Sequence, residues 1–223
     1  MDWSYNTIWF DQIESSKFKH VKDAGLSFII ENKSEIQYLV AQKYRPKSKD
    51  LSEMQSLENL VYLNLIQSNI ESLKGIGKFR NLKRLELNYC LKLSSELGID
   101  DLADSLEILY IEQSKKLSLG TNIEKLKKLR VLCFNDCGPI ESLEFIRDLP
   151  KLIDVRFVNT NILDGNLNPA ISHPTLKNCG YLNKRHYNID CEEMKVILAN
   201  KNTRTEKTYV NKGEYRTFKY EEI

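Results

Sequence analysis

Asn59-Leu60-Val61-Tyr62-Leu63-Asn64-Leu65 returns as Asn81-Leu82-Lys83-Arg84-Leu85-Glu86-Leu87, and again as Ser105-Leu106-Glu107-Ile108-Leu109-Tyr110-Ile111. Two more copies follow: Lys128-Leu129-Arg130-Val131-Leu132-Cys133-Phe134 and Lys151-Leu152-Ile153-Asp154-Val155-Arg156-Phe157. The anchoring leucines stand at 60, 82, 106, 129 and 152, at intervals of 22, 24, 23 and 23. Within each copy two apolar residues flank one variable residue, the period of a strand with one buried face. Three residues past the last apolar position comes a small polar or thiol residue: Ser68, Cys90, Ser114, Cys137 and Thr160. Such a side chain turns the chain and can bond the backbone of a neighbouring coil. An apolar residue follows it each time: Ile70, Leu93, Leu117, Ile140 and Ile162. One copy cannot bury its own apolar edge, so the copies must stack into a solenoid.

Weaker copies flank the five. Ile36, Leu39, Ala41 and Tyr44 fit the template before Leu60, and Leu176, Cys179 and Tyr181 fit it after Leu152. The count is then about seven parallel strands, a wall roughly 30 Å long at ~4.8 Å per strand. The segments between strands are short. Asn69 to Phe79 carries two glycines, and Gly138 to Ile146 repeats its theme, so 3₁₀ turns suit the convex side. The pattern resembles the leucine-rich repeat, L-x-x-L-x-L-x-x-N/C-x-L. Over roughly residues 33–189 it resembles the short-repeat class of phosphatase-regulator-like and internalin-like proteins. The fold class is α/β: a leucine-rich repeat solenoid with strands on the concave face, 3₁₀ turns and short helices on the convex face, and a cap at each end.

The caps are expected at residues 1–32 and 190–223. The first holds Trp3, Trp9 and the apolar run Leu26-Ser27-Phe28-Ile29-Ile30. The second opens with Asp190-Cys191-Glu192-Glu193-Met194, an acidic helix start, with Met194, Ile197 and Leu198 on one face. Lys207–Val210 and Tyr215–Phe218, around Asn211-Lys212-Gly213-Glu214, read as a hairpin. The run from Gly180 to Tyr187 resembles a segment that ends small bacterial leucine-rich repeat proteins.

Composition narrows the function. Thirty-three Lys and Arg against 31 Asp and Glu leave a charge of +2, a weak basis for binding nucleic acid. No apolar run reaches the ~18 residues a membrane helix needs, and Met1-Asp2-Trp3-Ser4 does not read as a secretory leader. Five cysteines without a CxxC pair fit a reducing compartment, so the expected location is the cytoplasm. His20, His173 and His186 lie apart, outside any HExxH or Ser-His-Asp context. Cys133 and Cys137 are expected to face opposite sides of their strand, which disfavours a metal site. Asp100, Asp101 and Asp104 read as an acidic helix start, and Gly75 and Gly77 lack the GK[ST] of a phosphate loop. The expectation is therefore no catalysis, no cofactor and no metal, with function carried by a surface.

That surface is the variable column of the strands. Tyr62, Arg84, Glu86, Ile108, Tyr110, Glu112, Asp136, Asp154 and Arg156 fall on it, a mixture of rings, aliphatics and charges. Tyr and Arg are enriched where proteins bind proteins. The acids Glu86, Glu112, Asp136 and Asp154 outnumber Arg84 and Arg156, which favours a basic or mixed protein partner. The resemblance to small bacterial repeat proteins implies an immunity protein that binds and neutralises a toxin, a basic nuclease domain for example; the expected state is a monomer or a 1:1 complex. The phosphatase-regulator resemblance implies instead a scaffold that modulates a resident enzyme.

Overall fold

A computed structural model describes residues 6–201, 208–212 and 215–219. Its centre is one open sheet of eight parallel strands in chain order. These are β1 (Phe18–Val21), β2 (Tyr38–Gln42), β3 (Tyr62–Ile66), β4 (Arg84–Asn88), β5 (Ile108–Glu112), β6 (Val131–Asn135), β7 (Asp154–Arg156) and β8 (Asn178–Gly180). Short 3₁₀ helices return the chain behind the sheet: Ile76–Lys78, Ile99–Leu102, Asn122–Lys125 and Glu144–Asp148. The molecule is a leucine-rich repeat solenoid. The sheet has one strand more than expected, because β1 lies within the stretch read as the N-terminal cap. It pairs Phe18 with Tyr38 through Val21 with Ala41 without carrying a leucine of the repeat.

The register follows from the repeat. Leu63, Leu85, Leu109 and Leu132 are paired partners across β3 to β6, as are Leu65, Leu87, Ile111 and Phe134. All are buried, and they share one core with Ile76, Ile99, Ile123 and Ile146 from the 3₁₀ turns. Alternate residues of each strand point away from this core, so the strands carry two distinct apolar populations. Ile108, Tyr110, Val131, Cys133 and Ile153 cluster on the concave side, while Cys137 belongs to the core.

Two devices tie coil to coil. The small residue after each strand reaches back to the preceding coil: the Ser68 hydroxyl donates to Tyr44 O (2.7 Å), Ser114 to Cys90 O (3.3 Å), and Thr160 to Phe134 O (2.5 Å). The Cys90 and Cys137 thiols do the same toward Leu65 O and Ile111 O at longer sulfur distances, 3.7 and 3.3 Å. The residue just past each of β2 to β6, and the third past β7, is left-handed without being glycine: Lys43, Gln67, Tyr89, Gln113, Asp136 and Asn159, with φ between 52 and 58°. That conformation costs roughly 1–2 kcal/mol for a residue with a Cβ. At the first five of these positions it aims the amide at the next coil: Lys43 N–H to Ile66 O, Gln67 to Asn88 O, Tyr89 to Glu112 O, Gln113 to Asn135 O, and Asp136 to Val158 O, all at 2.8–3.0 Å. At Gly98, φ is +98°, and a Cβ would stand 2.7 Å from Leu73 O, so this turn accepts glycine for both shape and space.

The C-terminal end closes on aromatic rings. Tyr181 stacks on Phe157 with ring centres 5.1 Å apart, and Tyr187 meets both rings edge-on. Helix α1 (Asn168–Ser172) lies between Phe157 and Tyr181, and helix α2 (Cys191–Lys201) follows the rings, with Met194 and Leu198 buried. Strands β9 (Thr208–Lys212) and β10 (Tyr215–Lys219) pair antiparallel, so Asn211 and Lys212, read as turn residues, lie in β9, while Lys207, Gly213 and Glu214 are outside the described residues.

Two measurements test this register. Leu85→Ala, Leu109→Ala and Leu132→Ala should each cost about 2–5 kcal/mol in chemical unfolding, the scale for a leucine cavity. Thr160→Val keeps the shape but removes the donor to Phe134 O and the acceptor of the Cys137 N–H. It should cost about 1–3 kcal/mol, because buried partners are left unmade.

Candidate protein-interaction surface

The concave wall is graded across the strand direction. Its first column is closed throughout: Tyr38, Tyr62, Arg84, Ile108, Val131 and Asp154 are all buried. The second column is mostly closed, with Val40, Asn64, Tyr110 and Cys133 buried and Glu86 and Arg156 half-buried. The third, Gln42, Ile66, Asn88, Glu112, Asn135 and Val158, is half-buried in every coil. Of the left-handed residues beyond it, Lys43, Gln67, Tyr89 and Asn159 are exposed, Tyr89 at 52%, while Gln113 and Asp136 are half-buried. The sequence reading took Tyr62, Arg84, Glu86, Ile108, Tyr110, Glu112, Asp136, Asp154 and Arg156 as an accessible surface; the structure leaves Tyr62, Arg84, Ile108, Tyr110 and Asp154 at most 9% exposed. Glu112 and Asp136 keep partial access.

Part of the cover is the chain's own N-terminal segment. Ile8, Phe10, Ile13 and Phe18 pack on Tyr38, Val40 and Tyr62. The Phe10 ring stands 4.8 Å from Phe18 and 5.7 Å from Tyr62, centre to centre. Further along the wall the Asn6 carbonyl accepts from Arg84 Nη1 at 2.8 Å, and the Asn6 side-chain oxygen accepts from the Tyr110 hydroxyl. The sequence showed an aromatic N-terminus but not its destination. A cap over the first coil and a strap across several strands draw on the same apolar residues.

Beneath the strap lies a connected polar network. Arg84 Nε donates to Glu86 Oε1 at 2.7 Å, and its guanidinium carbon sits 5.1 Å from the centre of the Tyr110 ring. Glu86 Oε2 accepts from the Tyr62 hydroxyl (2.9 Å) and from Asn64 Nδ2 (3.1 Å), and Asn88 Nδ2 donates to Asn64 Oδ1 (2.9 Å). Burial, and then the Glu86 charge, pushes the Tyr62 phenol well above its ordinary range. A second pair closes the far end, where Arg156 grips the fully buried Asp154 with two bonds of 3.0 and 2.6 Å. The polar side chains of the open band are tied more loosely. Asn135 donates to Glu112 at 3.3 Å, and Asn159 to Asp136 at 3.2 Å.

The remaining chemistry-bearing groups are engaged singly. His173 is buried, with Nε2 3.0 Å from Ile146 O and 3.2 Å from Leu149 O, and burial holds its pKa below the usual value. His186 Nε2 lies 2.9 Å from Ile162 O, and His20 pairs with Gln42. Burial pushes the Cys90 and Cys137 thiols up to about 12 and raises Cys133 and Cys179 as well. Among the described residues no three His, Cys, Asp or Glu side chains converge to hold a metal ion. Among the same residues no helix is long and apolar enough to cross a membrane.

No family model matches the chain, and none of the curated proteins matches it. Among solved structures it is similar to internalin C2 from Listeria monocytogenes, at 19% identity over 66% of this chain and 72% of that one, with a TM-score of 0.43. It is also similar to internalin F from the same organism, at 12% identity over 81% of this chain and 63% of that one, with a TM-score of 0.34. The assignment as a leucine-rich repeat solenoid rests on the repeat spacing and the stacked coils.

The closed wall changes what its substitutions should do. Arg84→Ala strands Glu86 beside a buried phenol and should cost about 3–5 kcal/mol in unfolding, the scale for breaking a buried pair. Thiol titration of the folded protein near pH 8 should find one reactive cysteine, the half-buried Cys191, and five after denaturation.

Proposed function

We propose that this chain is a non-catalytic protein-binding module and that its partner docks on the strand-exit band of the concave wall. Tyr89, Glu112, Asn135, Asp136, Val158 and Asn159 would form the contact. The observation that supports this reading is the exposure gradient: four columns run along the wall, closed at the strand starts and more open toward the strand exits. The backbone there is fixed by inter-coil bonds from left-handed residues, so the side chains stand on a rigid support. A rigid support lowers the ordering cost of association. The band combines an exposed aromatic ring with carboxamides and two acids, which suits hot-spot chemistry and favours a partner with a basic face.

The finer reading is an immunity protein that binds a basic toxin domain one-to-one. The acids of the band and the resemblance of the Gly180–Tyr187 segment to small bacterial repeat proteins support it. Cells expressing the product of the neighbouring gene should arrest, and co-expression of this chain should rescue them. The docking variant is Tyr89→Asn, Glu112→Gln and Asp136→Asn together, which keeps left-handed propensity and local hydrogen bonding. It should weaken the complex by about a hundredfold while unfolding stability moves by under ~0.5 kcal/mol. Unchanged affinity would remove the exit band as the docking site. A neighbouring product that leaves cells growing would remove the immunity reading and leave the band to be tested with another partner.

A further inference from the structure

The stacking that builds the wall also builds a row of side chains outside it. Gly25 is bridged in parallel to Tyr44, and the register of β2 to β5 continues that alignment through Ser68, Cys90 and Ser114. The residue after each of these therefore follows its counterpart from coil to coil: Leu26, Arg45, Asn69, Leu91 and Lys115. Backbone bonds hold the row. Arg45 N–H donates to Gly25 O (2.6 Å) and Asn69 N–H to Tyr44 O (3.2 Å). Leu93 N–H to Cys90 O (2.9 Å) and Leu117 N–H to Ser114 O (3.0 Å) close tight turns with Leu91-Lys92 and Lys115-Lys116 at their centres. In the next coil the buried Gly138 takes the same place, its N–H on Ser114 O, and the row of side chains ends.

The row alternates in chemistry. Leu26 and Leu91 are 55% and 57% exposed, and Arg45, Lys115 and the flanking Lys92 and Lys116 are exposed as well. Behind the sheet, cations are paired: Lys125 with Asp100, Lys127 with Asp148 and Arg147 with Glu144. Among the described residues no ion pair is formed by Arg45, Lys92, Lys115 or Lys116.

We propose that this row docks an extended segment of a partner protein whose apolar and acidic side chains alternate on one face, at i, i+2, i+4 and i+6. At ~3.4 Å per residue those side chains stand at about 0, 7, 14 and 20 Å along the segment. At ~4.8 Å per coil, Leu26, Arg45, Leu91 and Lys115 stand at about 0, 5, 14 and 19 Å along the row. The apolar pair meets the leucines and the acidic pair meets the two cations, with Lys92 and Lys116 adding to the local positive charge. Acids border the row on both sides, Glu112 and Asp136 on the wall and Glu71 in the turn behind it. A single chain lying along the row avoids them, whereas a broad polyanion would meet them. The row lies past the exit band, and its occupant does not depend on the partner of the band.

The test is fluorescence polarisation with the full chain and a labelled peptide, Thr-Leu-Thr-Glu-Thr-Leu-Thr-Glu-Thr. The wild type should bind it, and should bind a permuted peptide, with its leucines adjacent and its glutamates adjacent, at least about fivefold more weakly. Arg45→Gln with Lys115→Gln should weaken the alternating peptide about tenfold, and Leu91→Ser about threefold. Lys125→Gln with Lys127→Gln makes the same charge change behind the sheet and should leave binding unchanged. Glu112→Gln with Asp136→Asn should not weaken it, which separates the row from the exit band. Failure of the alternating peptide to bind, equal binding of the permuted one, or equal loss from both lysine-containing charge changes would overturn the proposal. So would a short oligothymidylate, or phosphatidylserine vesicles, that bind more tightly than the peptide and lose that binding in the Arg45→Gln and Lys115→Gln variant, since the row would then serve a polyanion or a membrane.

Discussion

Everything in this molecule depends on one constraint: a coil of about 23 residues cannot bury its own leucines and cannot pair its own strand. Leu85 needs Leu63 on one side and Leu109 on the other, and the register aligns them. The carbonyls and amides of each strand likewise close only against neighbours. Stacking therefore fixes the spacing, and the spacing tolerates departures of a residue in the convex turns but not in the strands. The left-handed residues at the strand exits show how strictly this is enforced. Six non-glycine side chains hold an unfavourable backbone conformation in six successive coils, and at five the amide so aimed meets a carbonyl of the next coil.

The same constraint makes a rigid wall, and the N-terminal segment then divides it. Toward the strand starts, rings and an ion-paired network are closed in. Toward the strand exits, an aromatic ring, amides and acids remain within reach of a partner. A solenoid wall is useful for recognition because its side chains are spaced by the sheet. Here the sheet spacing serves both an intramolecular contact and an open band. The electrostatic consequence is that Arg84 and Arg156 are neutralised by Glu86 and Asp154 beside them, so the accessible character of the band is set by Glu112 and Asp136.

The fold was legible because its signal is periodic: leucines at intervals of 22 to 24 residues, each followed by Ser, Cys or Thr, define the coil independently of any single residue. Strand β1 was not legible. Phe18-Lys19-His20-Val21 carries no leucine of the template, and it joins the sheet through backbone pairing to β2 alone. The site was half legible. Alternation correctly placed Tyr62, Arg84, Glu86, Tyr110 and Arg156 on the concave side. It could not show that Phe10 lies against Tyr62 and Asn6 against Arg84 and Tyr110, each more than fifty residues away in sequence, because long-range cover leaves no local pattern. Tyr89 stands just past β4, outside the leucine template. Its importance emerged only when the columns beside it proved closed.

The central claim is a wall closed at its strand starts and open at its strand exits. It is tested most directly by brief oxidative footprinting of the tyrosines in the folded protein, read residue by residue by mass spectrometry. Tyr89 should be modified quickly, with Tyr62 and Tyr110 protected until the protein is denatured. Modification of Tyr62 and Tyr110 at the rate of Tyr89 would contradict the account, since the whole wall would then be open to solvent.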